Sequence, residues 1–219
     1  MKTIICMSAA ALVMTGCVSM STVQVTPGAA SGLKGQSVVT TIRKPLPDFA
    51  AVTPGKAMFG VVGAMAMISE GNSIIANNSI ADPAEQVAKG LNLAMASRYA
   101  STPADNTVSV SSDDVTSISQ AAGTSARFAI DVQTVNWSIS YFPTDWTHYR
   151  VIYTAKARLI DTMQKSVIAE GFCKHIPESN ANAPSYDELM ANHAALLKSQ
   201  LSAAANNCIS SLQSEMLAL

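Results

Sequence analysis

Three consecutive segments with the alternating pattern of half-buried strands constrain the fold most. They cover residues 127–141, 148–161 and 166–173. In the second segment one parity is apolar and the other carries charged and hydroxyl groups, which is typical of a strand with one face on a core. Its apolar parity comprises Tyr149, Val151, Tyr153, Ala155, Ala157 and Leu159, and its polar parity includes Arg150, Thr154, Lys156 and Arg158. The pattern predicts an antiparallel three-strand meander with one wetter face.

The first of these segments changes phase near Thr134. Its apolar residues fall on even positions from Phe128 to Val132 and on odd positions from Val135 to Tyr141. Because side chains alternate strictly along a strand, such a change needs one extra residue or burial of both faces. We therefore expect a β-bulge, or a strand buried on both sides, at this point.

Two helix starts flank the strands. Asp82-Pro83-Ala84-Glu85 combines an N-cap acid, proline at the first helical position and a capping glutamate, and it predicts a helix over about 82–100. Ser185-Tyr186-Asp187-Glu188 is a second capping box and opens a helix over about 185–215. Helices on one antiparallel or mixed sheet make a single α+β domain, and 219 residues suffice for its core.

Shorter signals complete the element order. Residues 37–43 and 107–111 are predicted strands, and Asp113 is the predicted cap of one or two helical turns that end near Gly123.

Residues 57–68 form an uninterrupted apolar run, AMFGVVGAMAMI. The run is too short to span a bilayer as a helix. Gly60 and Gly63 permit close approach of another backbone. The run is interpreted as a buried helix or strand of the core, with an interfacial segment or an oligomer contact as alternatives.

The N-terminus has the layout of an export signal. Lys2 precedes an apolar stretch from Ile4 to Met14, and the segment Leu12-Val13-Met14-Thr15-Gly16-Cys17 resembles the lipobox of bacterial lipoproteins. The resemblance implies a signal peptide over residues 1–16, cleavage before Cys17, and lipidation of that cysteine. A plain secretory signal with an incidental Cys17 is the alternative. By analogy, Val18 at the position after the cysteine favours the outer membrane.

The mature chain then divides into two parts. Residues 17–36 are rich in Ser, Thr, Gly and Ala and are predicted to be a flexible tether behind the lipid. Residues 37–219 are predicted to form the α+β domain, facing the periplasm or the cell surface.

The predicted export of the chain determines how its four cysteines are interpreted. Cys6 leaves with the signal and Cys17 carries lipid, so Cys173 and Cys208 remain. In an oxidising compartment two cysteines indicate a disulfide first, with buried free thiols as the alternative. Because Cys208 lies on the apolar stripe of the last helix, the bridge would join that helix to the sheet.

No catalytic motif is found. The nucleophile elbow, the H-E-x-x-H zinc motif, the Walker A loop and the G-x-G-x-x-G loop do not occur. His148, His175 and His193 lack ligand spacing, and His193 is expected to be a partly buried side chain on an apolar stripe. The scattered acids Asp113, Asp114, Asp131, Asp145 and Asp161 show no pairing. We expect no metal, no cofactor and no catalysis, and the near-neutral charge of −1 argues against nucleic-acid binding.

Aromatic residues cluster at the predicted hairpin. Six of the twelve aromatics lie within residues 137–153. Tryptophan, tyrosine and arginine dominate interface hot spots, which suggests a partner surface. Its candidate residues are Tyr141, Phe142, Trp146, His148 and Arg150. Phe142 and Trp146 are the expected exposed anchors because they lie in the connection, and a purely structural role is the alternative.

The whole layout resembles Gram-negative envelope lipoproteins with a small α+β periplasmic domain. The segments that carry this resemblance are DPAEQVAKGLNLAMASRY, YFPTDWTHYRVIY and SYDELMANHAALLKSQL. It implies a lipid-anchored, non-enzymatic binding or assembly module with an envelope protein partner. The alternatives are a structural subunit of an oligomeric or secretion-type complex, and a hydrolase or ligand-binding protein for cell-wall or lipid material.

Overall fold

The computed structural model describes residues 22–218. The predicted signal peptide and the lipidation site Cys17 lie outside these residues. The described helices are Pro27–Leu33 (α1), Pro54–Ala57 (α2), Gly60–Asn77 (α3), Pro83–Tyr99 (α4), Val115–Ala122 (α5) and Tyr186–Glu215 (α6). The described strands are Ser37–Arg43 (β1), Phe49–Val52 (β2), Thr102–Val110 (β3), Phe128–Phe142 (β4), Asp145–Asp161 (β5) and Ser166–His175 (β6).

The strands form one mixed sheet in the order β3-β1-β4-β5-β6. β4, β5 and β6 are antiparallel neighbours, which confirms the predicted meander and the α+β class. β1 runs parallel to both β3 and β4. β2, which the sequence pattern did not predict, pairs in parallel with the second half of β4.

The predicted phase change in β4 is a β-bulge. The register with β5 shifts between Thr134 and Asn136, and Val135 is pushed toward solvent. Thr134 and Trp137 therefore both point into the protein, although their separation is odd. The bulge keeps one face of a fifteen-residue strand on the core along its whole length.

The main core lies between one face of the sheet and helices α4 and α6. Its members include Leu91, Met95, Ile130, Trp137, Ile139, Tyr153, Leu159, Leu197 and Leu201. The opposite face is covered in part by α5, through a smaller cluster that contains Val39, Ile118 and Ile160. The apolar parity predicted for β5 thus faces the main core, and the polar parity faces the other side.

Caps and the disulfide fix the helices on the sheet. The Asp82 carboxylate accepts from the N–H of Ala84, and Ser185 and Glu188 complete the second capping box. Cys173 of β6 is bonded to Cys208 of α6, with the two Cα atoms 5.3 Å apart. The predicted junction between the terminal helix and the sheet is confirmed.

α6 contains an irregularity that the sequence pattern did not reveal. Asn192, His193 and Ala194 adopt left-handed backbone angles, with φ between 52° and 57°. These residues reset the phase of the helix, because each rotates the chain in the opposite sense to a helical residue. His193, expected to be partly buried, is therefore exposed.

The cap of α5 differs by one residue from the prediction. Asp114 is the N-cap and accepts from the N–H of Ser117 at 2.8 Å. Asp113 instead pairs with Arg43 of β1 at 2.5 Å. Both aspartates have the right chemistry for a cap, and only the position of β1 assigns one of them to an ion pair.

Residues 22–36 differ from the expected flexible tether. Val23 forms a backbone bridge with Glu170 of β6, and the N–H of Val25 donates to the carbonyl of Met216 at 3.0 Å. α1 follows and buries Leu33 completely. The described part of the predicted tether is thus packed on the domain, because its scattered apolar residues meet a surface that the sequence pattern could not show.

Candidate docking surface at one end of the sheet

Two chain reversals emerge at the same end of the sheet. β2 and β4 run in parallel, with Val52 beside Ser140. β2 then leads into α2 and α3, whereas β4 leads through a two-residue turn into β5. We call Met58–Ile68 the helical tip and Tyr141–His148 the β-hairpin tip.

The helical tip follows α2 directly, and α2 packs back against the start of α3 as a helical hairpin. The Lys56 carbonyl lies directly against Gly63, where any side chain would collide with it. The Lys56 ammonium also pairs with Glu70, about two turns beyond Gly63 along α3. The close approach predicted for Gly63 is therefore real and lies within the chain, whereas Gly60 has open space beside it.

The interpretation of residues 57–68 as core is wrong. Met58, Phe59, Val61, Val62 and Met65 are each 70–80% exposed. The reason is geometric, since α3 rises about 27 Å over its eighteen residues and packs on β2, a strand of four residues. Apart from Gly63, the buried residues of α3 are Gly71, Ile74 and Ile75, all in its second half. The alternatives of an interfacial segment and an oligomer contact both fit this exposure.

Tyrosines connect the base of the helical tip to the β-hairpin. The Tyr186 hydroxyl donates to the Glu70 carboxylate at 2.5 Å. The ring of Tyr186 stacks edge to face on Tyr149, with 5.5 Å between centroids. Tyr149 is directly opposite Tyr141 in the β4–β5 pairing. The two tips are therefore parts of one end of the molecule.

Trp146 is the exposed aromatic residue of the β-hairpin tip. Its side chain is 62% exposed. The indole Nε1–H donates to the Pro143 carbonyl at 3.2 Å, and the ring stands 6.2 Å from Tyr141, edge to face. The indole is thus held in one orientation with a large apolar surface in solvent.

Phe142 is not an exposed anchor, contrary to expectation. Only 3% of it is exposed. A second register shift, between Tyr141 and Phe142, turns the Phe142 ring inward. The Arg150 guanidinium lies over this ring at 5.2 Å and donates to the Pro177 carbonyl at 3.1 Å, so both predicted contact residues are engaged within the chain.

His148 is also held by its own chain. Its Nδ1 lies 2.6 Å from the Asp145 carboxylate, and its backbone bridges to Ser185. The hydroxyl and N–H of Thr147 are the main cause, and His148 a lesser one, of a pKa of Asp145 far below the usual carboxyl range. The loop is therefore a rigid, hydrogen-bonded turn, with Trp146 projecting from it.

Two of the carboxylates considered for catalysis, Asp131 and Asp161, are paired with arginines. Asp131 is fully buried and receives Arg43 at 2.9 Å, Arg158 at 2.6 Å and the Thr41 hydroxyl at 2.7 Å. Asp161 is paired with Arg127. Burial acts to raise the pKa of Asp161, but hydrogen bonds from Arg127 and the Gln164 N–H hold it below the usual value. These groups have the arrangement of structural ion pairs.

A cavity of about 700 Å³ lies between β1, β3, α4 and α6. Asp82, Glu85, Lys89, Lys198 and Asp105 are among its lining residues. Burial raises the pKa of Asp82 against the lowering effect of its hydrogen bonds from Thr134 and Ala84. Asp82 is already committed to the cap of α4, so this cavity does not present it as a free acid.

Residues 22–218 contain neither a metal-ligand cluster nor a membrane-spanning helix. In this part of the chain, no three or more His, Cys, Asp or Glu side chains are grouped so that they would hold a metal ion. None of the helices there combines the length and apolar content required to cross a bilayer.

Comparison with known proteins assigns no family. No family model matches the chain, and no curated protein matches its sequence. Solved structures overlap with it weakly. The PelC dodecamer from Paraburkholderia phytofirmans shares 12% identity, with 78% of this chain and 86% of that chain covered and a TM-score of 0.30. A neuraminyllactose-binding hemagglutinin homolog from Helicobacter pylori shares 11%, with 88% and 86% covered and a TM-score of 0.36. Lipoprotein GNA1162 from Neisseria meningitidis shares 14%, with 80% and 98% covered and a TM-score of 0.29. Similarities of this size carry no inference about what the present chain does.

Proposed function

We propose that the protein is a lipid-anchored, non-enzymatic module of the bacterial cell envelope that docks a protein partner through its β-hairpin tip. Trp146 carries the proposal. An exposed tryptophan held in a single orientation loses little conformational entropy on binding and supplies the large apolar area typical of an interface anchor. The lipobox-like segment that ends at Cys17 supports the anchor, and the Cys173–Cys208 disulfide fits an oxidising compartment.

The docking role is tested by crosslinking in living cells. A photoreactive amino acid at Thr144, an exposed turn residue next to Trp146, should capture a defined partner. The same amino acid at Met163, exposed at the opposite end of β5, is the matched control. Trp146→Ala should abolish the product formed from position 144. Identical products from both positions, or a product that survives Trp146→Ala, would contradict the proposal.

The anchor is tested separately by mass. The N-terminal peptide of the membrane-extracted protein should begin at Cys17 and carry the added mass of a diacylglyceryl group and an acyl chain. An unmodified Cys17, or cleavage elsewhere, would leave a secreted protein without a lipid anchor.

A structural subunit of a larger envelope complex is the second candidate. The exposed helical tip favours it, because a contiguous apolar surface of this kind is rarely left uncovered. Light scattering on the detergent-solubilised full chain measures the mass of the assembly. A single large species would support the subunit, and a strict monomer would exclude a ring built from this chain.

A further inference from the structure

The exposed surface of the helical tip is apolar around most of the circumference of the helix. From Gly60 to Ile68, Gly63 and Met67 turn toward α2 or are half-buried, and the other side chains are exposed. At 100° per residue these exposed positions cover about two thirds of the circumference. The thirteen residues between Lys56 and Glu70 include no charged side chain. A protein partner usually contacts one stripe of a helix, whereas a helix that is apolar on most sides suits a uniform apolar solvent.

The dimensions of the tip match one leaflet of a bilayer. Gly60 to Ile68 rise about 13 Å along the helix, and half of a bilayer's hydrocarbon core is about 15 Å thick. The Lys56–Glu70 ion pair stands at the base, where it would meet the headgroups. Trp146 lies at the same end of the sheet, and tryptophan is enriched at the boundary between headgroups and acyl chains.

A lipid on Cys17 would lie close to the domain, because few residues separate Cys17 from Val23. Cys17 precedes the docked Val23 by six residues, which span at most about 20 Å when fully extended. A lipid on Cys17 would therefore hold the domain against the membrane surface and give the bilayer a high effective concentration at the tip.

We propose that the helical tip inserts into one leaflet of the membrane that carries the lipid anchor, so that the protein is attached at two points. This inference rests on the proposed lipid anchor at Cys17. The tip does not cross the membrane, and it orients the domain so that the β-hairpin tip lies at the membrane surface. The partner docked by Trp146 then meets the protein at that level.

The two attachments also determine an orientation. Val23 pairs with Glu170, which is opposite Arg158. Arg158 follows Asp145, the first residue of β5 at the β-hairpin end, by about 43 Å along the strand. Because this exceeds the reach of residues 17–23, both points enter one bilayer only when the strands lie strongly tilted from the membrane normal.

Fluorescence quenching on the full, lipidated chain tests the insertion. Val61→Cys accepts a fluorophore, because the other cysteines of the mature chain are bonded or acylated, and Met163→Cys is the matched control at the far end of β5. The probe membranes are phosphatidylethanolamine–phosphatidylglycerol vesicles with nitroxides on the acyl chains. The label at 61 should be quenched strongly by these nitroxides. Aqueous iodide should quench the label at 61 several-fold less than it quenches the label at 163.

A charge at the tip supplies the second arm. Val62→Asp should restore iodide quenching of the label at 61, whereas Leu93→Asp, a charge placed at another exposed apolar residue on α4, should not. Quenching that is identical in both variants would contradict insertion.

Three other outcomes overturn the inference in distinguishable ways. Equal iodide quenching at 61 and 163, in chains that float with the vesicles, would contradict the insertion and leave the proposed lipid anchor supported. Protection from iodide without nitroxide quenching, with self-quenching that rises with protein density, assigns the tip to a second copy of the chain. Chains that do not float with the vesicles would contradict both the insertion and the proposed anchor.

Discussion

At the scale of single residues, the Asp82 carboxylate joins two elements that lie far apart in the sequence. It caps α4 through the Ala84 N–H at 2.9 Å and accepts a hydrogen bond from the Thr134 hydroxyl at the β-bulge. The capping sequence predicts the first contact, and the alternation of β4 predicts the bulge. Their meeting depends on how α4 crosses the sheet, which neither local pattern contains.

The buried position of Asp82 predicts a pH dependence. Because burial raises its pKa above the ordinary 3.8, the folded chain retains a proton that the unfolded chain has lost. The free energy of unfolding therefore falls as pH rises through the window above 3.8. Asp82→Asn retains a residue that can cap and removes this titration. Urea unfolding across that window should show a steeper decline for the wild type than for the variant, and parallel curves would contradict the assignment.

At the scale of elements, the two tips show why exposure is harder to predict than secondary structure. The strand pattern predicts β4 and β5 within a few residues, but a register shift at Tyr141 decides that Phe142 points inward. Most of the apolar run at 57–68 is helical. The first half of α3 is nevertheless uncovered, because β2 is too short to pack against it. Local patterns report periodicity, and burial depends on what lies opposite.

The β-hairpin tip gives a paired prediction. Phe142→Ala should lower the free energy of unfolding by about 3–5 kcal/mol, because it empties a buried site beneath Arg150. Trp146→Ala should cost about 1 kcal/mol, the contribution of an exposed aromatic pair. Urea unfolding of the two variants measures both. Similar losses would mean that the two rings share one environment.

At the scale of the whole molecule, the segment before β1 belongs to the domain. α1 packs on the main core, and Gly35 donates to the Ala100 carbonyl at 2.8 Å just before β1. The distance between lipid and domain is therefore set by the few residues that precede Val23. A membrane-proximal domain follows if Cys17 is acylated.

A substitution in α1 tests whether this segment is part of the folded unit. Leu33→Ala should destabilise the protein by about 2–5 kcal/mol, because the side chain is fully buried. Lys34→Ala, at the exposed neighbouring position, should stay within about 0.5 kcal/mol of the wild type. Thermal unfolding compares the two variants. An unchanged midpoint for Leu33→Ala would indicate that the segment is a flexible tether and does not belong to the folded unit.

The sequence by itself determined the α+β class, the meander, the phase change near Thr134 and two capped helices, and it favoured a Cys173–Cys208 bridge over free thiols. These features follow from side-chain alternation, capping chemistry and cysteine count, all of which act over a few residues or within one compartment. Only the tertiary structure decided that residues 22–36 pack on the domain, that Phe142 is buried, and that the helical tip is exposed. Each depends on contact between segments distant in the chain, because the same apolar residue is core or surface according to what covers it.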